Sequence, residues 1–537
     1  MTAKDERPVQ PEGEPPLPAG GLDAAGDPPA APRFGGANRR AVLSGGVWSA
    51  ASNLLPMAST LALSVVISRV LGAEVLGEQS LVAYVASLMV SVVIYSFTVA
   101  SIQLIASAGG AQDQARLAHL ARWSMGAHLV GGAVAVVVLV GAGLSRDSYA
   151  AIWYLAAATA FVDAVGWGHA SRHVARHGWS ATSARRLVAQ ALTPLLGIAA
   201  VLLGAGVEGV FATQLLVASG LLVVLRRLER REPLPSPAGL PAPAAGPVLR
   251  IWSLFAASAV VTQVVDRRLE VVFLDLYRTS VEVAQYSVAF NIVGIALVVG
   301  SALVGASVPA VAAAHGAGEH ERVVSGMSRA ARVVLATSLL MAAGVASVGP
   351  VVVLAFWDDP ANDYTQAAGV VRMLALGLLV TPVGALCNAY WMGTGRLRPV
   401  LLAGGTGAVI NLALATVLIR SMGLDGAVIS TLSGQGTAAL LITLHTVRTG
   451  LRLRVRPLAL VRVAVVAVLA GGAALAVEQV LGPWLALVAA VAAFSLVAAA
   501  GLKAVGLLDA EDQQWLEGAL PGPAARVLAA LSPARGR

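Results

Sequence analysis

Apolar runs long enough to cross a bilayer, about 20 residues each, recur fourteen times along this chain. They lie near 44–70, 79–107, 119–143, 148–168, 184–204, 207–226, 251–277, 284–314, 330–355, 366–392, 399–420, 425–447, 459–480 and 483–505. No run shows the strict apolar–polar alternation of a half-buried strand. The pattern therefore predicts an all-α polytopic membrane protein with 14 transmembrane helices.

The polar loops between the runs divide into two kinds. After even-numbered runs come arginines: Arg116 and Arg122, Arg172 and Arg176, Arg226 to Arg231, Arg322 and Arg329, Arg396 and Arg398, then Arg448 to Arg456. After odd-numbered runs come short loops with few cations, such as SRDSYA at 145–150, GVEG at 206–209, WDDPANDY at 357–364 and GLDG at 423–426. Cations collect in loops facing the cytoplasm, so the alternation predicts that both termini are cytoplasmic.

Residues 232–248, EPLPSPAGLPAPAAGPV, are too rich in proline to continue a helix and divide the runs into two sets. The sets repeat in two places. GVEGVFAT at 206–213 resembles GLDGAVIS at 423–430, and GEQSLVAY at 77–84 resembles AQYSVAFN at 284–291. Six helices per set preserve orientation, so a parallel repeat about the membrane normal is expected. The expected organisation is a disordered cytoplasmic tail over 1–38, an N-lobe of helices 1–6 over 39–231, the linker, and a C-lobe of helices 7–12 over 249–450. A helix pair, 13 and 14, follows over 451–507, then a cytoplasmic tail over 508–537.

Composition agrees with the pattern. The 537 residues are 57% apolar and only 12% charged, with a mean hydropathy of +0.76; soluble domains carry about 25% charged residues. The isoelectric point near 10.1 does not imply a nucleic-acid partner, because the arginines sit in short loops between apolar runs. The single cysteine, Cys387, cannot form a disulfide within the chain. No metal cluster, Walker A sequence or cofactor motif occurs, and no cofactor is expected. The loop around 356–365 is too short to carry the chemistry of a membrane enzyme.

Three stretches bear a family resemblance: VISRVLGAEVLGEQSLVAYV at 66–85, AQYSVAFNIVGIALVVGSALVGASVPAVAAAHG at 284–316, and YWMGTGRLRPVLLAGGTGAVINLALATVLIRSMGLDGAVIST at 390–431. They resemble the oligosaccharide flippases, or Wzx-type polysaccharide biosynthesis proteins, of the multidrug/oligosaccharidyl-lipid/polysaccharide (MOP) exporter superfamily. The resemblance implies two six-helix lobes around a cavity that opens alternately to each side. It also implies a lipid-linked saccharide as substrate in the plasma membrane of a bacterium, a monomeric protein, and other polysaccharide-assembly membrane proteins as partners. The alternative within the same superfamily is a cation-coupled exporter of small molecules or drugs.

Charges inside the seventh run are the main candidate site. Each costs about 2.5–3.5 kcal/mol at a bilayer centre on insertion scales. On an unbroken helix, Gln263, Asp266, Arg267 and Glu270 would form one stripe, with Arg268 and Asp275 on another side. Two readings stand. The stripe could line a hydrated cavity where Arg267 meets an anionic head group, or it could be a self-neutralising network between helices. Asp163 in the fourth run is a further candidate, as an unpaired carboxylate. Asn53, Asn291 and Asn388 are weaker candidates for lining the cavity. Gln103 and Asn411 fit either that role or hydrogen-bonding between helices. Pro56, Pro194, Pro309 and Pro382 lie in apolar runs, where they free backbone carbonyls and supply bends.

Overall fold

The computed structural model describes residues 56–146, 148–175, 179–231, 237–266, 268–305, 307–449, 451, 453, 457–478 and 482–505. Among these residues the regular structure is helical, apart from an isolated bridge between Asp359 and Asn362. The helices are α1 (Pro56–Leu71), α2 (Ala73–Met89), α3 (Ser96–Gly110), α4 (Gln114–Leu144), α5 (Ala150–Val174), α6 (Trp179–Leu202), α7 (Gly206–Arg231), α8 (Ala245–Asp266) and α9 (Glu270–Tyr277). There follow α10 (Ser280–Gly305), α11 (Ser307–Gly316), α12 (His320–Phe356), α13 (Thr365–Leu374), α14 (Gly377–Gly393), α15 (Arg398–Met422), α16 (Leu424–Arg448), α17 (Pro457–Glu478) and α18 (Pro483–Val505).

Among the described residues, eleven helical spans are long and apolar enough to cross a membrane, Ala73–Gly109 (α2 and α3) counting as one, or twelve if the bent pair α13–α14 is one span. The shorter apolar helices Pro56–Leu71 and Ala245–Val261 occupy the places of the first and seventh expected runs. The chain is a multi-pass membrane protein. Some boundaries move outward: α4 begins at Gln114, not near 119, and α12 at His320, not near 330. Their added turns, QARLA and HERVVSGMSR, are polar, so hydropathy could not find them. Asp113 caps α4 by accepting from the Arg116 N–H at 2.9 Å.

Three expected runs are not uniform helices. The second passes through a π-helical turn at Val90–Tyr95; no proline lies there, and we find no sequence cause. The tenth bends by 41° between α13 and α14. Pro382 lies inside α14 and frees the Leu378 carbonyl, beyond the bend. Pro194 and Pro350 likewise stay inside α6 and α12. The seventh run breaks between Asp266 and Glu270, at the charges themselves.

The two repeated turns do match in structure. Gly206 and Gly423 both have positive φ, 64° and 61°, and each is followed by an acid in the first helical turn, Glu208 and Asp425. The acids face the positive end of the helix dipole. The other repeated pair, in α2 and α10, is packed together. Gly77 of α2 comes so close to Ser280 that an added Cβ would stand 1.8 Å from the Ser280 carbonyl oxygen. The pair α17–α18 packs against α12; Phe494 of α18 lies over Gly344.

Candidate functional site

The break in the seventh run removes the stripe. A spacing of three, four and seven residues shares a face only on a continuous helix, and α8 ends at Asp266. The Asp266 side chain and all of Arg267 lie outside the described residues, as does Asn53. Gln263 is buried near the end of α8. Arg268 lies in the break, half-buried.

Glu270, the first residue of α9, is fully buried. It does not face an open cavity; it is enclosed by α10, α15 and α16. Asn411 Nδ2 of α15 donates to its Oε1 at 2.9 Å. The Tyr286 hydroxyl of α10 lies 3.2 Å from Oε2 and 2.7 Å from Thr431 Oγ1 of α16. Thr431 in turn donates to the Ala427 carbonyl at 2.9 Å. Asn411 can reach inward because α15 and α16 approach through glycines. A Cβ on Gly434 would stand 2.6 Å from Asn411 Cβ, and one on Gly407 would stand 2.6 Å from the Gly434 carbonyl.

Tyr286 donates to one carboxylate oxygen and the Asn411 amide to the other. A carboxyl buried among hydroxyl and amide groups can take up and release a proton, or hold a small hard cation that takes oxygen ligands. Sequence periodicity missed Tyr286 and Thr431. A signal was present: both fall in the stretches that resemble the flippase family, and Tyr286 also in the internal repeat.

At the arginine-poor end the two halves are sealed together. Arg146, between α4 and α5, forms an ion pair with Asp275 of α9 and lies 3.6 Å from Glu78 of α2. Asp275 holds the guanidinium proton more tightly than usual. Ser280 Oγ donates to Glu78 at 2.8 Å, beside the Gly77 contact. Arg69 Nε donates to the Phe356 carbonyl at 2.7 Å. Asn362 accepts from the Ala73 N–H at 2.9 Å, and Ser68 bonds the Tyr364 hydroxyl at 2.8 Å. Asp275, expected within the membrane run, thus serves this seal.

The other predicted residues scatter. Asp163 of α5 is half-buried and is not isolated: Arg186 of α6 acts on it electrostatically. The Arg186 guanidinium lies 3.2 Å over the Trp167 ring, a cation–π arrangement. Asn291 and Asn388 are half-buried on α10 and α14.

A cavity of about 1290 Å³ opens at the arginine-rich end, between α4, α5, α7 and the start of α8. None of the predicted site residues lines it. The two halves thus meet at the arginine-poor end, and the cavity lies at the arginine-rich end.

Comparison with known proteins bears on that geometry. The MatE family model matches residues 258–417. No curated protein matches the chain. The solved structure of the lipid II flippase MurJ, in an inward closed conformation, superposes with a TM-score of 0.68 at 10% identity, covering 85% of this chain and 98% of that one. An inward-facing multidrug resistance MATE family transporter of the MOP superfamily gives 0.61 at 18%, covering 73% and 94%. A MOP superfamily transporter from Pyrococcus furiosus gives 0.55 at 17%, covering 76% and 95%. At these identities the likeness is one of fold. This chain has the fold of the MOP-superfamily transporters.

Proposed function

We propose that this protein is an alternating-access transporter that moves lipid-linked saccharide precursors across the bacterial plasma membrane. It would have fourteen spans, counting the bent pair α13–α14 once and including the two shorter helices. The arginine-rich loops and both termini would face the cytoplasm, so the state described here is inward-open. One observation favours a flippase over a drug exporter. The lipid II flippase aligns with 85% of this chain, against 73% for the inward-facing MATE transporter. A lipid-linked head group is large, hydrated and anionic, and cannot cross hydrocarbon unaided.

The buried Glu270 cluster is the proposed coupling site. Its proton, or a cation in the same place, would leave when the lobes rearrange, and would bias the carrier toward one state. Asp266, Arg267, Arg268 and Gln263, beside the break, are proposed to meet the substrate head group, with Asp163, Asn53, Asn291 and Asn388 as further cavity positions. A monomer that works with other polysaccharide-assembly membrane proteins completes the proposal. The same carboxyl also suits the second reading, cation-coupled drug export, which the MatE match over 258–417 supports.

The deciding experiment is deletion followed by lipid extraction. The proposal expects a lipid-linked saccharide to accumulate, with rescue by the wild-type chain and not by Glu270→Ala. Unchanged lipid intermediates together with heightened sensitivity to cationic drugs would establish the exporter instead.

A further inference from the structure

The cavity at the arginine-rich end has two chemically different parts. Arg122 of α4 and Arg226 and Arg230 of α7 are cationic residues of its lining. Among the described residues, none of the three has a carboxylate within ion-pair distance. Two other lining cations are paired: Arg172 bonds Glu229 at 2.9 Å, and His169 bonds the same carboxylate. Most of the remaining lining is apolar. Leu129 and Val130 of α4 are 42% and 65% exposed, and Leu249 of α8 is 57% exposed.

The spacing has the dimensions of a phospholipid. Arg122 and Leu129 are seven residues apart on one face of α4, about 10 Å along the axis at 1.5 Å per residue. A phosphate at Arg122 would therefore place the first acyl carbons beside Leu129 and Val130. Gly126 lies between them, and a Cβ built there meets nothing within 4 Å. The cavity also bridges the halves. Its walls come from α4, α5 and α7 on one side and α8 on the other. The linker carbonyl of Leu240 is held nearby by His119 Nε2 at 3.0 Å.

We propose that this cavity binds one anionic phospholipid of the cytoplasmic leaflet and that the bound lipid stabilises the inward-open state. The phosphate sits against Arg122, Arg226 and Arg230, and the acyl chains run along Leu129, Val130 and Leu249. A ligand shifts a conformational equilibrium by its differential affinity for the two states. This site exists only while the start of α8 lies against α4. The inference holds for either transported substrate.

The test is native mass spectrometry of the full-length protein titrated with phosphatidylglycerol, phosphatidylcholine or inorganic phosphate. One phosphatidylglycerol should be retained in preference to phosphatidylcholine. Arg226→Gln with Arg230→Gln should weaken it about 25-fold, at about fivefold per arginine near an anionic head group. Gly126→Phe sets a ring between Arg122 and Leu129 without changing charge and should abolish retention; a Cβ there meets nothing within 4 Å, so the fold should stay intact. Equal retention of the two lipids, or retention unaffected by Gly126→Phe, overturns the proposal. Displacement of the lipid by millimolar phosphate would make this a free-phosphate site and overturn it too. So would lipid retention that appears only after residues 1–38 are deleted. That stretch carries six acidic against three basic residues, and such a result would make it the occupant.

Discussion

Gly77→Ala tests the seal at the arginine-poor end most directly. Helix propensity alone favours the change, because alanine is better than glycine in a helix interior by about 1 kcal/mol. Any loss must therefore come from the contact with α10. The new Cβ would stand 1.8 Å from the Ser280 carbonyl oxygen, a backbone atom that cannot swing aside as a side chain can. To reach 3.0 Å, α2 and α10 must part by about 1.2 Å, and overpacking of this kind costs about 1–3 kcal/mol. The clash exists only in the sealed state. The outward-open state should therefore gain about five- to 150-fold in population, with little change in membrane abundance. Spin labels at Glu74→Cys and Val281→Cys, both exposed at this end, would report the separation of the two helices. Cys387 is buried and would not compete for label. A lengthened distance and lost transport are expected. An unchanged distance distribution with normal transport would refute the claim that this contact closes the outer side.

Other outcomes follow from the same geometry. Asp275→Asn removes the partner of a half-exposed Arg146 and should loosen the seal by no more than about 1 kcal/mol; exchanging the charges, Arg146→Asp with Asp275→Arg, should restore the distance distribution. Glu270→Gln keeps the shape of the side chain and an oxygen that accepts from Tyr286, so the protein should fold normally. It should nevertheless lose the stimulation of transport by an ion gradient in proteoliposomes, and retained stimulation would remove Glu270 from the coupling role. Asn411→Ala leaves a buried carboxyl oxygen without its donor and should lower thermal stability by about 1–3 kcal/mol, read by scanning fluorimetry. For topology, Ala361→Cys should react with an impermeant maleimide in intact cells and Ala317→Cys should not; the reverse would invert the orientation.

Hydropathy alone determined the membrane class and the approximate place of every span described here. A bilayer imposes a minimum apolar length, and each helix satisfies that requirement within its own segment. The matched glycine turns at 206 and 423 likewise show in the sequence, because the positive φ required there favours glycine. The chemistry of the charged run was not legible. Periodicity assumed one continuous helix, and the chain instead breaks between Asp266 and Glu270. Glu270 finds Asn411 and Thr431 more than 140 residues further along the chain, and Asp275 pairs with Arg146 129 residues before it. Such partners meet only because glycines let α15 and α16, and α2 and α10, approach closely. Long-range packing decided whether a buried carboxyl faces a cavity, a partner or a proton, because its environment is built by helices that lie far apart in the sequence.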